Sequence, residues 1–196
     1  MQEGVGRRLV VDTASRLYLR GMNTTLSGNV SLRIDTNKML ITPGGIDKAK
    51  MKPQEISLMD IALEKLLKEP KQSSEYHVHT RIYAKNAGIN AVVHPHAPYS
   101  IGMVSALGAK KAISEISKRD EEYEYYLGKV VSVGIIKSGS VALGDAVAEA
   151  VKNGAGIVIM ENHGTVGVGE KLHNALDRVE YLEYMMKRLY IARTSR

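Results

Sequence analysis

Two short apolar runs, Ala91-Val92-Val93-His94 and Gly156-Ile157-Val158-Ile159-Met160, constrain this chain more than any other feature. Neither contains a charge before its end, and each reads as a strand buried on both faces. Such a strand needs apolar cover from two sides, and the chain supplies candidates for it. The stretch from Leu172 to about Ala192 carries Leu172, Leu176, Val179, Leu182, Met186 and Leu189 at helical spacing, a stripe for core or subunit contact. Helices are also expected over 5–20 (ended by Gly21), 98–107 and 139–152, and from a cap at Ser73 or Ser74 to about Asn86. Val30, Leu32 and Ile34 alternate with polar residues, Asp35-Thr36-Asn37-Lys38 turns the chain, and Met39-Leu40-Ile41 returns it as a hairpin. Further strands are expected over 130–136, 165–168 and 55–61, while 62–68 reads as helix or turn. No repeat or linker divides the chain, so the expectation is one domain over 1–196, a mixed sheet with helices on both faces.

Composition narrows the chemistry. The 196 residues include ten Tyr but no Phe, Trp or Cys, so aliphatic side chains and Met must fill the core. Without cysteine there is no disulfide, no thiolate ligand and no cysteine nucleophile, and a metal site must be built from His and carboxylates. The net charge of +6 suits a phosphorylated substrate. The basic residues are scattered apart from pairs such as Arg7-Arg8 and Lys110-Lys111, so nucleic acid is not an expected partner. The longest charge-free stretch, 86–109, is broken by Asn90, His94, Pro95, His96 and Pro98, which excludes it as a membrane span. The only apolar run in the first twelve residues is Leu9-Val10-Val11, too short for a signal peptide, and a cytoplasmic location is expected.

The candidate site begins where the two apolar runs end. On extended backbone, residues i and i+2 project to one side, so His94 and His96 of His94-Pro95-His96 can face one ion. Pro95 cannot donate to a sheet ladder, so the chain leaves the sheet there. His163 stands just past the second run, before Gly164, which permits close backbone approach. Three imidazoles and an open position describe a catalytic Zn²⁺ site, although imidazole also accepts other divalent ions. Ser73-Ser74-Glu75 offers hydroxyls, backbone N–H groups and an acid at a helix start, and Ser27-Gly28-Asn29 and Thr42-Pro43-Gly44-Gly45 are glycine-rich turns suited to anions. His77, His79 and His173 read as ordinary surface or packing residues.

In order along the chain, Ser27-Gly-Asn-Val-Ser, Leu40-Ile-Thr-Pro-Gly-Gly-Ile, Ser73-Ser-Glu, Ala91-Val-Val-His-Pro-His-Ala and Glu161-Asn-His-Gly resemble the class II aldolase family, of L-fuculose-1-phosphate aldolase and L-ribulose-5-phosphate 4-epimerase type. The resemblance spans essentially the whole chain. It implies a three-layer α/β/α sandwich with a mostly antiparallel sheet, assembled as a homotetramer with interfacial sites. It implies zinc on His94, His96 and His163, and Glu75 as general acid/base. It assigns substrate phosphate to Gly28, Asn29, Gly44, Gly45, Ser73 and Ser74. It further implies a catalytic tyrosine from a neighbouring subunit, for which Tyr123, Tyr125 and Tyr126 are candidates. The activity so implied is cleavage of a ketose 1-phosphate into dihydroxyacetone phosphate and a short aldehyde. A pentulose-5-phosphate 4-epimerase, a methylthio-sugar-phosphate dehydratase and a non-catalytic oligomeric interaction domain are the alternatives. The chain departs from the family at Gly44, where many members carry Ser or Thr, so that backbone N–H must serve there, and the C-terminal tail that contributes a further tyrosine in the fuculose enzyme is not expected.

Overall fold

The computed structural model describes residues 1–68 and 70–195. In chain order the elements are α1 (Glu3–Leu19), β1 (Asn29–Arg33), β2 (Lys38–Ile41), a 3-10 turn at Pro53–Glu55, β3 (Ser57–Asp60) and β4 (Lys65–Lys68). There follow α2 (Tyr76–Lys85), β5 (Ala91–His94), α3 (Pro98–Leu107), α4 (Ala109–Ser117) and α5 (Tyr123–Leu127). The chain continues through β6 (Lys129–Val133), α6 (Val141–Lys152), β7 (Ala155–Met160), β8 (Gly164–Gly169) and α7 (Leu172–Thr194). The strands form one eight-stranded sheet in the order β4-β3-β2-β1-β5-β8-β7-β6. Every neighbouring pair is antiparallel except β6 and β7, which run parallel.

Strand periodicity sorts the core into two layers. Val30, Leu32, Leu40, Ala91, Val93, Ile157 and Ile159 face α1, α3, α4, α5 and α7. The alternate residues Met39, Ile41, Val92, Val158, Met160, Val166 and Val168 face α2 and α6. Successive strand side chains point to opposite faces, so one sheet feeds both layers, and the result is an α/β/α sandwich. Helix α7 lies close against β8 because Gly167 presents no side chain: a Cβ there would meet the Ala175 carbonyl and the Val179 side chain, the latter at 2.7 Å.

Two expectations are corrected. Residues 62–68 are not helical: a turn at 61–64 leads into β4, which pairs only with β3 at the sheet edge. That strand carries Lys65 and Lys68 around half-exposed apolar residues, so an edge position gives it no apolar alternation to read. The helix expected from Ser73 or Ser74 begins instead at Tyr76, and no side chain caps it. Helix α4, whose buried residues are Ala109, Ala112 and Ile116, was not expected at all.

Candidate metal centre

Register places the site. Asn29 at the start of β1 pairs with His94 at the end of β5, and β5 pairs on its other edge with β8. His163 occupies the tight turn between β7 and β8, where Met160 pairs with Gly164. The two apolar strands, separated only by β8 and parallel to one another, therefore end at the same edge of the sheet. A hydrogen bond from Thr165 N to the Pro95 carbonyl (3.0 Å) ties the His94-Pro95-His96 segment to β8. Gly164 is required by this approach, since a Cβ there would lie 2.5 Å from the Pro95 carbonyl oxygen and 2.7 Å from His94 Cε1.

The three imidazoles form a nearly equilateral triangle, with ring centroids 4.9, 5.0 and 5.1 Å apart. Glu75 closes the group. Its Oε2 is 3.0 Å from His94 Nε2, and its Oε1 is 3.0 Å from His163 Nε2. His94 Nε2 and His96 Nε2 are 3.2 Å apart. Glu75 and His94 are buried and His96 and His163 half-buried, so the cluster opens toward solvent on the histidine side.

This donor set fits a divalent ion. His94 Nδ1 lies 2.8 Å from the Thr165 carbonyl, which can only accept, so Nδ1 carries the hydrogen. In the neutral ring Nε2 is then a bare lone pair, directed at a carboxylate oxygen and at His96 Nε2. Burial, followed by the neighbouring His94 and His163, pushes the His96 pKa down to about 4, so that ring also offers a lone pair at neutral pH. Lone pairs converging at 3.0–3.2 Å are repulsive unless a cation sits among them. Tetrahedral coordination with Zn–N near 2.0–2.1 Å places adjacent ligand atoms about 3.3 Å apart, close to what the cluster presents. All four ligand atoms lie within 4.8 Å of one another. His163 Nδ1 is buried with no hydrogen-bond partner among the described residues, so this ring is not anchored through its far nitrogen as His94 is.

The Glu75 carboxylate is held ionised. Burial alone would raise its pKa, but positive charge beside it, on the His94 and His163 rings when they carry a proton, outweighs that and holds it well below the usual carboxylate range; a divalent ion among neutral rings would supply the same charge. Ser138 Oγ donates to Oε1 at 2.8 Å, and Asn29 Nδ2 donates to Oε2 at 3.0 Å. Glu75 faces the histidines instead of its own helix, which is why α2 has no side-chain cap.

A buried chain of hydrogen bonds stands behind Asn29. Because its Nδ2 donates to Glu75, its Oδ1 faces His79 Nε2, which must donate. Burial, reinforced by His94, pushes the His79 pKa down to about 3, so the ring is neutral and its Nδ1 accepts from Ser31 Oγ at 2.6 Å. Ser31 Oγ in turn accepts from Tyr83 Oη at 2.7 Å. His79 and Ser31 are fully buried and Tyr83 nearly so. His79 is therefore no ordinary packing residue: it dictates which way the Asn29 amide turns. Replacing His79 by Leu leaves Asn29 Oδ1 and Ser31 Oγ short of partners, and a loss of about 1–3 kcal/mol in denaturant unfolding is expected. An unchanged unfolding midpoint would remove this role. His77 pairs with Glu64 at 3.1 Å, and His173 is exposed, both as ordinary surface residues do.

The anion-friendly turns cluster as well. An isolated bridge between Pro43 and Gln72 sets the Thr42–Gly45 turn beside Ser73. Ser73 is buried, its Oγ accepting from Glu75 N at 3.3 Å, while Ser74 is exposed. Gly44 N–H, expected to serve an anion, is committed to the Lys71 carbonyl at 3.2 Å; Gly45 N–H has no acceptor in the described chain. Gly28 precedes Asn29 at the entrance to β1. The three tyrosines make no hydrogen bond to the cluster among the described residues. Tyr123 is buried in the core, Tyr126 stacks on Tyr181 with ring centroids 4.3 Å apart, and Tyr125 is 85% exposed. Ser138, Asn23 (whose Oδ1 accepts from His96 N at 3.0 Å) and His79 belong to the site without any expectation from the sequence. No local motif distinguishes them; only the fold carries them there.

Known proteins share this arrangement of chain and fold. The chain is 29% identical over 181 residues to the 3-oxo-tetronate 4-phosphate decarboxylase of Haemophilus influenzae, covering 92% of this chain and 85% of that one. It is 32% identical over 175 residues to the L-fuculose phosphate aldolase of Methanococcus maripaludis, covering 89% and 91%. The crystal structure of a sugar-phosphate aldolase from Thermotoga maritima superposes with a TM-score of 0.84 over 97% of this chain and 96% of that one, at 24% identity, and shares its fold. The model of the class II aldolase and adducin N-terminal domain matches residues 8–190, and with nearly its whole length so accounted for, the chain belongs to the class II aldolase family.

Proposed function

We propose that the protein is a zinc-dependent lyase that reversibly cleaves a ketose 1-phosphate, such as L-fuculose 1-phosphate, into dihydroxyacetone phosphate and a short aldehyde. The observation that carries this reading is the convergence of one doubly hydrogen-bonded carboxylate with three imidazole rings. A bound divalent ion supplies Lewis acidity, polarising the substrate's carbonyl and lowering the acidity barrier at the adjacent carbon. His94, His96 and His163 would hold it.

The chain's own residues do the rest. In the condensing direction, Glu75 takes a proton from C3 of dihydroxyacetone phosphate as general base. Asn29 and Ser138 keep its two oxygens apart and aimed. The C3 carbanion adds to the aldehyde carbon, and the new alkoxide takes a proton to become the C4 hydroxyl; cleavage reverses each step. Tyr125, which is exposed and free of core duties, is the proposed donor of that last proton from a second copy of the chain, in a homotetramer with sites between subunits. Gly28, Asn29, Gly45, Ser73 and Ser74 are the residues proposed to contact the substrate's phosphate. No described helix is long and apolar enough to cross a membrane, and the proposed setting is the cytoplasm.

A second reading has specific support in the Haemophilus influenzae relative. A 3-oxo-tetronate 4-phosphate is a β-keto acid, and loss of CO₂ from it leaves the same C3 carbanion of dihydroxyacetone phosphate. Decarboxylation needs no proton donor for an aldehyde oxygen, so it does not depend on Tyr125. The test is a panel of short hydroxyaldehydes with dihydroxyacetone phosphate, run beside a CO₂-release assay on 3-oxo acid phosphates. Carbon–carbon bond formation with at least one aldehyde is expected. CO₂ release with no condensation on any aldehyde would replace the first reading by the second.

A further inference from the structure

Lys48 has no place in the chemistry above, yet its burial demands an explanation. Its side chain is among the largest fully enclosed ones, with the residue 2% exposed. An ammonium group removed from water costs several kcal/mol unless charges or dipoles replace the water. Among the described residues Lys48 makes no ion pair. The adjoining carboxylate, Asp47, turns away to accept from Ala49 N at 2.9 Å. The partners of Lys48 Nζ are two backbone carbonyls, Pro43 and Ile46, each at 3.1 Å. Desolvation, only partly opposed by Asp47, lowers its pKa below the ordinary lysine value.

Those carbonyls belong to the Thr42–Ile46 turn, the glycine-rich turn that lies beside Ser73. In a planar peptide the N–H points opposite to the C=O. Drawing the Pro43 and Ile46 carbonyls inward therefore turns the Gly44 and Asp47 N–H groups away from Lys48. Gly44 N–H is taken by Lys71, whereas Gly45 N–H and Asp47 N–H have no acceptor in the described chain. Gly44 and Gly45 are themselves exposed. The turn thus has on its inner side a buried cation held by carbonyl dipoles without an ion pair among the described residues, and on its outer side the unclaimed Asp47 N–H, with the unclaimed Gly45 N–H in the same exposed turn. A second tie, Lys48 N to the Thr25 carbonyl at 3.0 Å, anchors the same residue to the segment that leads into Gly28 and Asn29.

We infer that Lys48 is the counter-charge of the substrate's phosphate monoester, acting through the Thr42–Ile46 turn that it supports from within. The inference rests on the proposed use of a phosphorylated substrate. It adds a cation where that reading had only backbone and hydroxyl donors, and it offsets the missing hydroxyl at Gly44. Lys48 is a positioning and binding residue, remote from the reacting carbons.

The test compares two probes in the metal-loaded protein: proton exchange at C3 of dihydroxyacetone phosphate, and the same exchange in unphosphorylated dihydroxyacetone, followed by NMR in deuterated water. Lys48→Met keeps the length and removes the charge. The KM for dihydroxyacetone phosphate is expected to rise about tenfold or more, as loss of a unit charge near a dianion in a partly desolvated site implies. The kcat should be little changed, and exchange of dihydroxyacetone itself should match wild type. Equal losses on both probes, or no loss on either, would overturn the inference. Binding of inorganic phosphate, measured by calorimetry on wild type and on Lys48→Gln, gives a readout independent of turnover and of whether Lys48→Met folds. Equal phosphate affinity in the two proteins also overturns it. If wild type exchanges neither probe while Lys48→Gln still weakens phosphate binding, the proposed reaction fails and the role of Lys48 stands.

Discussion

Replacing Glu75 by Gln is expected to lower proton exchange at C3 of dihydroxyacetone phosphate by roughly 10²–10⁴-fold, the range over which a positioned general base contributes. The amide is nearly isosteric but cannot take a proton. It also brings a donor into a pocket where Asn29 Nδ2 and Ser138 Oγ already donate, so one of them must lose its acceptor. The measurement is loss of the C3 proton signal in deuterated water with metal-loaded protein. Exchange continuing at the wild-type rate would dismiss Glu75 as the base. Because the carboxylate also faces two imidazole nitrogens at 3.0 Å, metal content should be measured on the same sample, so that loss of a base is distinguished from loss of an ion.

Removing His163 is expected to strip the site of its ion. His163→Ala deletes one of three nitrogen donors, and the affinity for Zn²⁺ should fall by at least the roughly 10–100-fold that loss of a mere outer partner costs a metal site. The fold should survive the change, since His163 is half-buried in a turn and its Nδ1 bonds nothing among the described residues. His94→Ala differs in kind. That ring is fully buried, and its removal leaves the Thr165 carbonyl unpaired and a cavity at the strand end, so stability should drop together with metal. Bound zinc after dialysis, read by elemental analysis, checks both. Stoichiometric zinc in His163→Ala would dismiss it as a ligand, and zinc absent from wild type would favour a non-catalytic scaffold.

Much of the frame was legible because it depends on local pattern. The runs at 91–94 and 156–160 could be read as strands since a doubly buried strand excludes charge. Their terminal histidines could be read as a pair and a third partner because side-chain direction alternates along extended backbone. The final helix announced itself through a long apolar stripe. The segment 62–68, expected as helix or turn, is a turn only as far as Glu64, and its strand half escaped the pattern for the opposite reason. An edge strand buries little, so its residues carry no periodicity, and only pairing with β3 makes it a strand. His79 failed similarly. On a helix it lies two positions from His77, and nothing near it in sequence announces Ser31 or Asn29, the residues that give it a purpose.

What the sequence determined by itself was the inventory: strand ends bearing imidazole, glycine-rich turns, one acid after two serines, and no thiol to compete for metal. What only the tertiary structure decided was the meeting of those parts. Asn29 opposes His94 because β1 and β5 pair in one register, and a shift of one residue would turn every side chain to the other face. Glu75 reaches the histidines because α2 packs on the sheet face from which they project. Lys48 became notable only when burial removed it from water. Local propensity acts over a few residues, whereas ligand geometry depends on pairings between segments dozens of residues apart, and only the packed core sets those distances.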